Sequence, residues 1–147
     1  MAVHIRLLGP GDEAVLALLA AEDPDFDVPG GSVPREPTPE PAAYLADPGV
    51  LHWVAEEDGR VVGFLLAYVQ RRRAGDATQL MLYEIGVREA FRRRGVGRLL
   101  VGAMREWMEA HGVRTAWVLA TPEAEAFYVA CGFTPDVVPV QMTLSLS

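Results

Sequence analysis

The sequence has one cysteine and no lysine, the residues that form disulfides in secreted proteins and Schiff bases in some enzymes. Its 147 residues include one cysteine, Cys131, so a disulfide within one chain is excluded and a reducing compartment is expected. All 13 basic residues are arginine, which excludes Schiff-base chemistry on a lysine. No apolar run reaches the ~18 residues that a membrane span requires, and the N-terminal residues show no signal-peptide core. We therefore expect a cytoplasmic protein that makes no membrane contact.

The charge balance and the size of the chain narrow its function further. A formal net charge of −7 disfavours general binding of nucleic acid and suits a cationic acceptor. Half of the residues are hydrophobic, which predicts a single domain over residues 1–147 with its own core. The histidines, His4, His52 and His111, lie far apart with no cysteine or carboxylate at metal spacing, so we expect no metal.

Residues 83–100 carry the clearest functional pattern in the chain. They predict an apolar strand, then a basic turn with two glycines, then an amphipathic helix. The first N–H groups of such a helix are unpaired and point into the turn, where the positive end of the helix dipole lies. Gly95 and Gly97 leave room for a ligand's oxygens, and the arginines add charge-assisted donors. The stretch predicts a phosphate site, with a solvated basic turn as the alternative.

Two motifs in this order resemble the GNAT acetyltransferases, which use acetyl-CoA. The first motif is Arg-x-x-Gly-x-Gly at residues 92–97, and the second is Ala-Phe-Tyr-Val-Ala-Cys-Gly-Phe at residues 126–133. Two motifs in the right order and at the right separation are far more specific than either one alone. Within the family, residues 82–87 with the arginine-rich turn look most like the aminoglycoside 3-N-acetyltransferases.

The resemblance implies how the cofactor would be held. The backbone of Ile85, Gly86 and Val87 would pair with the pantetheine arm of CoA like an added strand. The pyrophosphate of CoA would be cradled by the turn, namely Arg92, Arg93, Arg94, Gly95, Val96, Gly97 and Arg98. Many family members have an asparagine shortly after the next strand, where this chain has Ala120 and Thr121. We expect Thr121 to substitute for that asparagine in part.

Two residues are candidates for acid–base chemistry. Glu84 stands between apolar residues in the central strand, where partial burial would raise its pKa toward that of a base. The family often carries an acidic base or water-ordering residue at this position, and a glutamate that pairs with an arginine or faces solvent is the alternative. Tyr128 falls where the family often has a tyrosine that donates to the departing thiolate, and packing against the sheet is its alternative role. Cys131 is expected to be a buried small residue, so direct transfer is preferred.

The apolar pattern predicts an α/β or α+β fold with a single mixed sheet and helices on both faces. As the resemblance implies, the sheet would be mostly antiparallel, with six to seven strands, and GNAT-like. Helices are expected over residues 12–21, 40–46, 95–111 and 123–130. Strands are expected over residues 3–8, 50–56, 60–69, 79–87, 113–119, 133–138 and 140–146, with Glu57-Asp58-Gly59 as a hairpin turn.

Residues 22–41 are dense in proline, glycine and acidic residues, and they are predicted to form a loop. A solvated connector is one interpretation of this composition. The other is an acceptor-binding loop in which Glu22, Asp23, Asp25 and Asp27 meet a polyamine-like substrate.

The sequence therefore predicts an acetyl-CoA-dependent N-acetyltransferase that moves the acetyl group directly to a primary amine. A cationic small molecule such as an aminoglycoside or polyamine is the favoured acceptor. Two alternatives stay open, namely acetylation of a protein or peptide amine, and a non-catalytic acyl-CoA sensor that needs neither Glu84 nor Tyr128. A homodimer is also expected from the habit of the family.

Overall fold

The computed structural model describes residues 2–26, 36–75, 77–136 and 140–146. These residues contain one five-stranded sheet whose strands lie in chain order. The strands are β1 (His4–Leu7), β2 (Val50–Glu57), β3 (Arg60–Arg71), β4 (Thr78–Val87) and β5 (Ala116–Trp117). Neighbouring strands are antiparallel except β4 and β5, which are parallel. The predicted class, a mixed and mostly antiparallel sheet, is confirmed.

Helices cover both faces of this sheet, as predicted. They are α1 (Glu13–Ala21), α2 (Asp23–Phe26), α3 (Pro41–Ala46), α4 (Val96–His111) and α5 (Glu125–Ala130), with a 3-10 turn at Glu89–Phe91. The longest helix, α4, is flanked by Gly95 and Gly112 with φ of +82° and +67°, a conformation that glycine adopts without steric cost. No helix in the described ranges is long and apolar enough to cross a membrane.

The two faces of the sheet bury separate hydrophobic clusters. Leu65, Leu80 and Leu100 belong to the cluster under α4, and Leu16 and Phe64 belong to the cluster under α1–α3. Because successive side chains of a strand point to opposite faces, a central strand covered on both sides reads as a continuous apolar run. β2 and β3 show this pattern, and burial on both faces explains it.

The C-terminal part of the chain differs from the prediction. Residues 133–136 and 140–146 form no strand in the described structure, so the sheet has five strands rather than six or seven. The apolar residues of the last stretch are 84–91% exposed, namely Val140, Met142, Leu144 and Leu146. Alternating apolar residues favour a strand only where a sheet edge and a covering layer exist to bury one of its faces.

The predicted loop over residues 22–41 also contains an element that the composition did not indicate. Residues 23–26 form α2, in which Phe26 is 3% exposed and its ring meets that of Phe64 with the centroids 5.6 Å apart. A Cβ on Gly86 of β4 would lie 3.2 Å from the Phe26 carbonyl oxygen, so the glycine permits this close approach. Burial of one aromatic ring therefore outweighs the loop-forming residues around it. Residues 27–35, with Asp27, lie outside the described residues.

Candidate active site

β4 and β5 are paired at one end only. Leu80 pairs with Ala116 and Met81 with Trp117, where β5 ends, whereas β4 continues to residue 87. The edge of β4 from residue 82 to 87 therefore has no strand beside it in the described part of the chain. An exposed strand edge accepts an extended ligand through main-chain hydrogen bonds. The three residues predicted to pair with pantetheine, 85–87, lie on this edge.

A β-bulge places Glu84 at the centre of β4. Leu66 of β3 pairs with Glu84, whereas the next residue, Ala67, pairs with Leu82, so Tyr83 is the extra residue. Glu84 thus lies on the same face of the sheet as Leu66, which is the face covered by α1–α3. Its side chain is neither fully buried nor fully exposed. A carboxylate in this position is close to the exposed edge of β4 and still reachable from the solvent.

The basic turn before α4 has the backbone form of an anion site. Arg93 and Gly95 both have positive φ, +63° and +82°. Successive N–H groups in turns of this kind point into a common concavity, and the 16-residue α4 adds the positive end of its dipole. A Cβ on Gly95 would meet nothing within 4 Å, so the space over this residue is open.

The side chains of Arg92 and Arg94 fasten the turn to the sheet. Arg92 donates its Nε–H to the carbonyl oxygen of Val87 at 3.0 Å. Arg94 donates to the buried carboxylate of Glu57, at the end of β2, at 3.1 Å. Both arginines therefore fix the conformation of the turn. The backbone N–H of Arg92 is itself engaged, because it donates to the carbonyl oxygen of Glu89 at 3.3 Å.

The remaining residues of the turn that were predicted to hold the pyrophosphate differ in their exposure to solvent. Arg93 and Arg98 are exposed, so their guanidinium groups are accessible to an anion. Val96 is 2% exposed and packs in the core under α4, so it could contribute only its backbone. The predicted phosphate site thus consists of backbone groups with two accessible cations beside them.

Gly97 is close to a protein side chain. A Cβ at this position would lie 2.8 Å from Cε1 and 2.9 Å from Cζ of Phe127 in α5. The sequence interpretation reserved this space for a ligand, whereas the structure fills it with an aromatic ring. The glycine therefore sets the distance between the first turn of α4 and the helix that carries Tyr128.

We expect Gly97→Ala to lower the free energy of unfolding by about 1–3 kcal/mol, because the added methyl group overpacks against the Phe127 ring. Phe127→Leu removes the two ring atoms in question, so the double variant should recover part of the loss. Denaturant unfolding of both single variants and the double variant measures the coupling. Effects that simply add would show that the two residues are not in contact.

Tyr128 lies in the core cluster under α4 and is 8% exposed. Its ring meets those of Phe127 and Phe133 edge to face, with centroids 5.3 Å and 5.4 Å away. Burial, with Cys131 nearby, raises the pKa of Tyr128, so its hydroxyl keeps its proton at neutral pH. A general acid must carry its proton in this way, although the aromatic contacts are also those of a packed core residue.

Thr121 and Cys131 lie at the two ends of the α5 segment. Thr121 is exposed, and its carbonyl oxygen accepts the N–H of Ala124 at 3.0 Å in the turn that starts this helix. Cys131 is half-buried, and burial raises the pKa of its thiol despite two nearby arginines. A thiol with a raised pKa is a poor nucleophile, which agrees with direct transfer.

The face that carries Glu84 also bears aromatic residues that sequence reasoning missed. Tyr68 of β3 and Tyr83 of the bulge lie edge to face, with their ring centroids 5.4 Å apart. Tyr44 of α3 shares a hydrogen bond of 2.9 Å with Nδ1 of His52 on β2. We call Tyr44, Tyr68 and Tyr83 the tyrosine cluster. Strand alternation could have placed Tyr68 on this face, but only the tertiary structure brings the three elements together.

Arg88, directly after β4, is a second feature that the sequence did not reveal. It is 2% exposed and donates its Nε–H to the carbonyl oxygen of Val61 at 2.6 Å. Its Nη1 lies 2.9 Å from carboxylate oxygens of both Glu22 and Asp25, and its guanidinium lies 4.5 Å from the ring centroid of Phe26. Arg88 therefore ties α2 to the end of β4.

The ion pairs of Arg88 argue against the hypothesis that the acidic residues after α1 bind a cationic acceptor. Two of its four carboxylates, Glu22 and Asp25, are engaged by Arg88. Asp23 is only 4% exposed and so offers little surface to a substrate. Within the described residues, the face beside β4 is therefore lined more by aromatic rings than by available carboxylates.

His52 should make the protein sensitive to acid. It is 7% exposed, and burial lowers its pKa from 6.5 to about 4. Between these values the unfolded chain binds the proton and the folded chain does not, so stability is complete above pH 6.5 and falls as the pH is lowered toward 4. We expect a loss from this residue of about 2 kcal/mol between pH 7 and pH 5. The His52→Asn variant should lack this loss of stability between pH 7 and pH 5 when its unfolding is measured. An equal loss in the variant would mean that another group causes the acid sensitivity.

No group of three or more histidine, cysteine or acidic residues in the described ranges is arranged to hold a metal. The polar groups at the site are thus the turn amides, the two accessible arginines, Glu84, the tyrosine cluster and Tyr128.

Several solved structures share this fold. An aminoglycoside acetyltransferase from an uncultured soil metagenomic sample, in complex with sisomicin, is 20% identical with a TM-score of 0.81, over 99% of this chain and 97% of that chain. The ribosomal-protein-alanine N-acetyltransferase of Brucella melitensis biovar Abortus 2308 is 18% identical with a TM-score of 0.78, over 100% of this chain and 99% of that chain. AAC(6')-Iy in complex with the bisubstrate analogue CoA-S-monomethyl-acetylneamine is 19% identical with a TM-score of 0.75, over 100% of both chains.

At the level of sequence, none of the curated proteins matches the chain. The model of the acetyltransferase (GNAT) family matches residues 15–133, which is well over half of the chain. That range contains β4, the basic turn, α4 and α5. The chain therefore belongs to the GNAT acetyltransferase family, whose members transfer acetyl groups from acetyl-CoA.

Proposed function

We propose that this acetyltransferase moves an acetyl group directly from acetyl-CoA to a primary amine of a cationic small molecule, of the aminoglycoside or polyamine kind. The observation that carries the proposal is the position of Glu84. It lies in a β-bulge beside an exposed strand edge, and the basic turn follows at the end of the same strand. One strand thus carries a carboxylate and leads directly into the turn that would hold the acetyl donor.

The donor would be held along β4 and at the turn that follows it. Ile85 and Val87, whose main-chain groups face away from β3, would form hydrogen bonds with the pantetheine arm, and Gly86 between them would remain paired with β3. The N–H groups from Arg93 to Arg98 would receive the pyrophosphate, with the exposed Arg93 and Arg98 as charged donors and Arg92 as the residue that fastens the turn to β4. Thr121, exposed after β5, would contact the arm from the other side of the cleft.

Acetyl-CoA supplies an activated acetyl group, and the protein's own side chains move the protons. Glu84 takes a proton from the bound ammonium, directly or through a water molecule, so that the amine nitrogen has a lone pair for attack on the carbonyl carbon. A carbon–nitrogen bond forms and the carbon–sulfur bond breaks. Tyr128 gives its proton to the departing thiolate, which leaves as CoA, and the second proton that the nitrogen releases on forming the amide restores the tyrosine through the solvent. Holding both substrates in one geometry supplies much of the remaining rate.

A cationic acceptor is supported by charge and by the structural relatives. The chain carries a net charge of −7, which attracts cations over a long range. One relative was solved with sisomicin and another with an acetylneamine conjugate of CoA. The neighbouring ribosomal-protein-alanine acetyltransferase shares the fold to a similar degree, so peptide amines belong among the compounds tested.

The experiment is thiol release from acetyl-CoA by the purified protein, with aminoglycosides, polyamines, amino acids and short peptides as acceptors. We expect amine-dependent release with a cationic small molecule, together with thermal stabilisation by CoA. Turnover only with peptides would replace the acceptor class. Stabilisation by CoA without turnover on any amine would favour the sensor alternative over the enzyme.

A further inference from the structure

The face of the sheet that carries Glu84 holds aromatic groups that the proposed proton transfers do not use. His52, Leu66 and Glu84 form one row across β2, β3 and β4, as the strand pairing shows. Tyr68 and Tyr83 lie beside this row with their rings edge to face. Glu84 and His52 are therefore on one face of the sheet with Leu66 between them.

The imidazole of the buried His52 has one hydrogen-bond partner in the described structure. Its Nδ1 is 2.9 Å from the hydroxyl of Tyr44, while its Nε2 is buried and makes no hydrogen bond with the described residues. The ring of Phe64 lies next to it, with the centroids 5.7 Å apart. A purely apolar side chain would fill this space without an unsatisfied nitrogen. In the described structure, the only polar contact of the imidazole is therefore the one that orients the Tyr44 hydroxyl.

The direction of this hydrogen bond decides what Tyr44 offers to a ligand. Burial, together with the neighbouring Tyr68, raises the pKa of Tyr44, so its hydroxyl carries a proton at neutral pH. With the imidazole proton on Nε2, the Tyr44 hydroxyl donates to Nδ1 of His52 and keeps its lone pairs for a further donor. An oxygen held in this way accepts a hydrogen bond and does not donate one. A protonated amine, which only donates, is the matching partner.

The rings of the cluster favour the same kind of ligand. The faces of tyrosine rings attract cations, most strongly where the site is partly shielded from water. Tyr44 and Tyr68 are half-buried, and Tyr83 is 57% exposed, so the cluster is open on one side. Glu84, the residue after Tyr83, contributes a carboxylate next to these rings.

We propose that the tyrosine cluster is the surface that receives the ammonium group of the acceptor, and that His52 is a positioning residue that holds the Tyr44 hydroxyl as an acceptor. This inference rests on the proposed function and deepens it, because it names the residues that select a cation. It also gives His52 a role in acceptor binding that is separate from its effect on stability.

A first test needs no turnover. Tetramethylammonium chloride is a cation that cannot be acetylated and cannot donate a hydrogen bond, so it probes the rings alone. In a protein with labelled tyrosines, we expect its addition to shift the ring signals of the three cluster tyrosines and to leave Tyr128 unchanged, with sodium chloride as the control for salt. Tyr68→Leu should abolish the shifts and Tyr68→Phe should retain them. Equal shifts at all four tyrosines, or none, would overturn the proposal.

A kinetic test addresses His52. Tyr44→Phe and His52→Leu should each raise the acceptor KM about tenfold, a typical effect of one lost hydrogen bond to a charged group, with kcat and the acetyl-CoA KM unchanged. The double variant should be no worse than either single variant, because both act through one hydroxyl. His52→Asn should restore the acceptor KM, since its side-chain oxygen can accept from Tyr44.

The two tests separate this inference from the proposed function. Tetramethylammonium shifts in a protein that turns over no amine would contradict the proposed reaction and leave the cation surface standing. Amine turnover whose acceptor KM is unchanged in Tyr44→Phe and His52→Leu would overturn the inference and leave the reaction standing. Additive effects, or effects confined to the acetyl-CoA KM, would assign these residues a structural role.

Discussion

The Glu84→Gln variant should lose about 10²- to 10⁴-fold in kcat, which is the usual contribution of a general base. Glutamine has nearly the same shape, so the bulge in β4 and the contacts of this half-buried position should persist. The amide cannot take a proton from an ammonium group. The amine therefore stays protonated at neutral pH and has no lone pair for attack.

The pH profile of this variant distinguishes loss of the base from misfolding. In Glu84→Gln the rate should recover as the pH is raised toward the pKa of the amine, because a free amine needs no base, whereas a misfolded variant would show no recovery. The same exchange at the exposed Glu89, in the 3-10 turn after β4, is the matched control and should leave the rate unchanged. Acetyl-CoA affinity should be equal in all three proteins. A normal kcat in Glu84→Gln would mean that another group removes the proton.

The Gly95→Asp variant should weaken acetyl-CoA binding by about 100-fold, which corresponds to about 3 kcal/mol. Gly95 has a φ of +82° and open space over its Cα, so a side chain there would project into the space where the pyrophosphate is proposed to lie. A carboxylate at that point repels the phosphates and pairs with the neighbouring arginines. The repulsion destabilises the bound state and the pairing stabilises the free protein, so both weaken binding.

Gly95→Asn provides the matched control for this prediction. Asparagine and aspartate have the same shape and both tolerate the left-handed backbone better than other side chains, so the backbone strain is shared. We expect the asparagine variant to lose about tenfold or less in affinity. The difference between the two variants should shrink as salt is added. Equal affinities in titrations with acetyl-CoA would show that the phosphates bind elsewhere.

The elements nearest to the reaction could be predicted because their signals are local. The hairpin turn at Asp58 and Gly59 adopts positive φ at both residues, as its sequence indicates. The strand, turn and helix around Gly95 follow from an apolar run, a glycine with positive φ and helical spacing of the apolar residues. Each of these features depends on neighbours within a few residues.

The parts that were missed depend on contacts between residues far apart in the chain. Arg88 is buried only because α2 folds back over β4, 63 residues away from its partner Asp25. The contact of Gly97 with Phe127 likewise joins two helices, so the sequence suggested a ligand where the structure has a ring. Composition cannot reveal such contacts, since the same residues in an exposed turn would look identical.

Residues 140–146 show that a clear local pattern is not sufficient to predict a strand. Their pattern is typical of a strand, but no described strand lies beside them. The alternation of side chains does not show whether another strand is available to pair with. The homodimer and the cytoplasmic location stay predictions, because they concern surfaces and surroundings that one chain does not contain.

The most direct test of the central claim is amide hydrogen exchange with and without acetyl-CoA. If the acetyl donor lies along β4, exchange should slow at Ile85 and Val87, whose N–H groups face away from β3, and in the turn over residues 93–98, because those groups become hydrogen-bonded. Amides of β1, which is three strands away from β4 at the opposite edge of the sheet, provide the internal control. Protection confined to other elements, with β4 and the turn unchanged, would contradict the account.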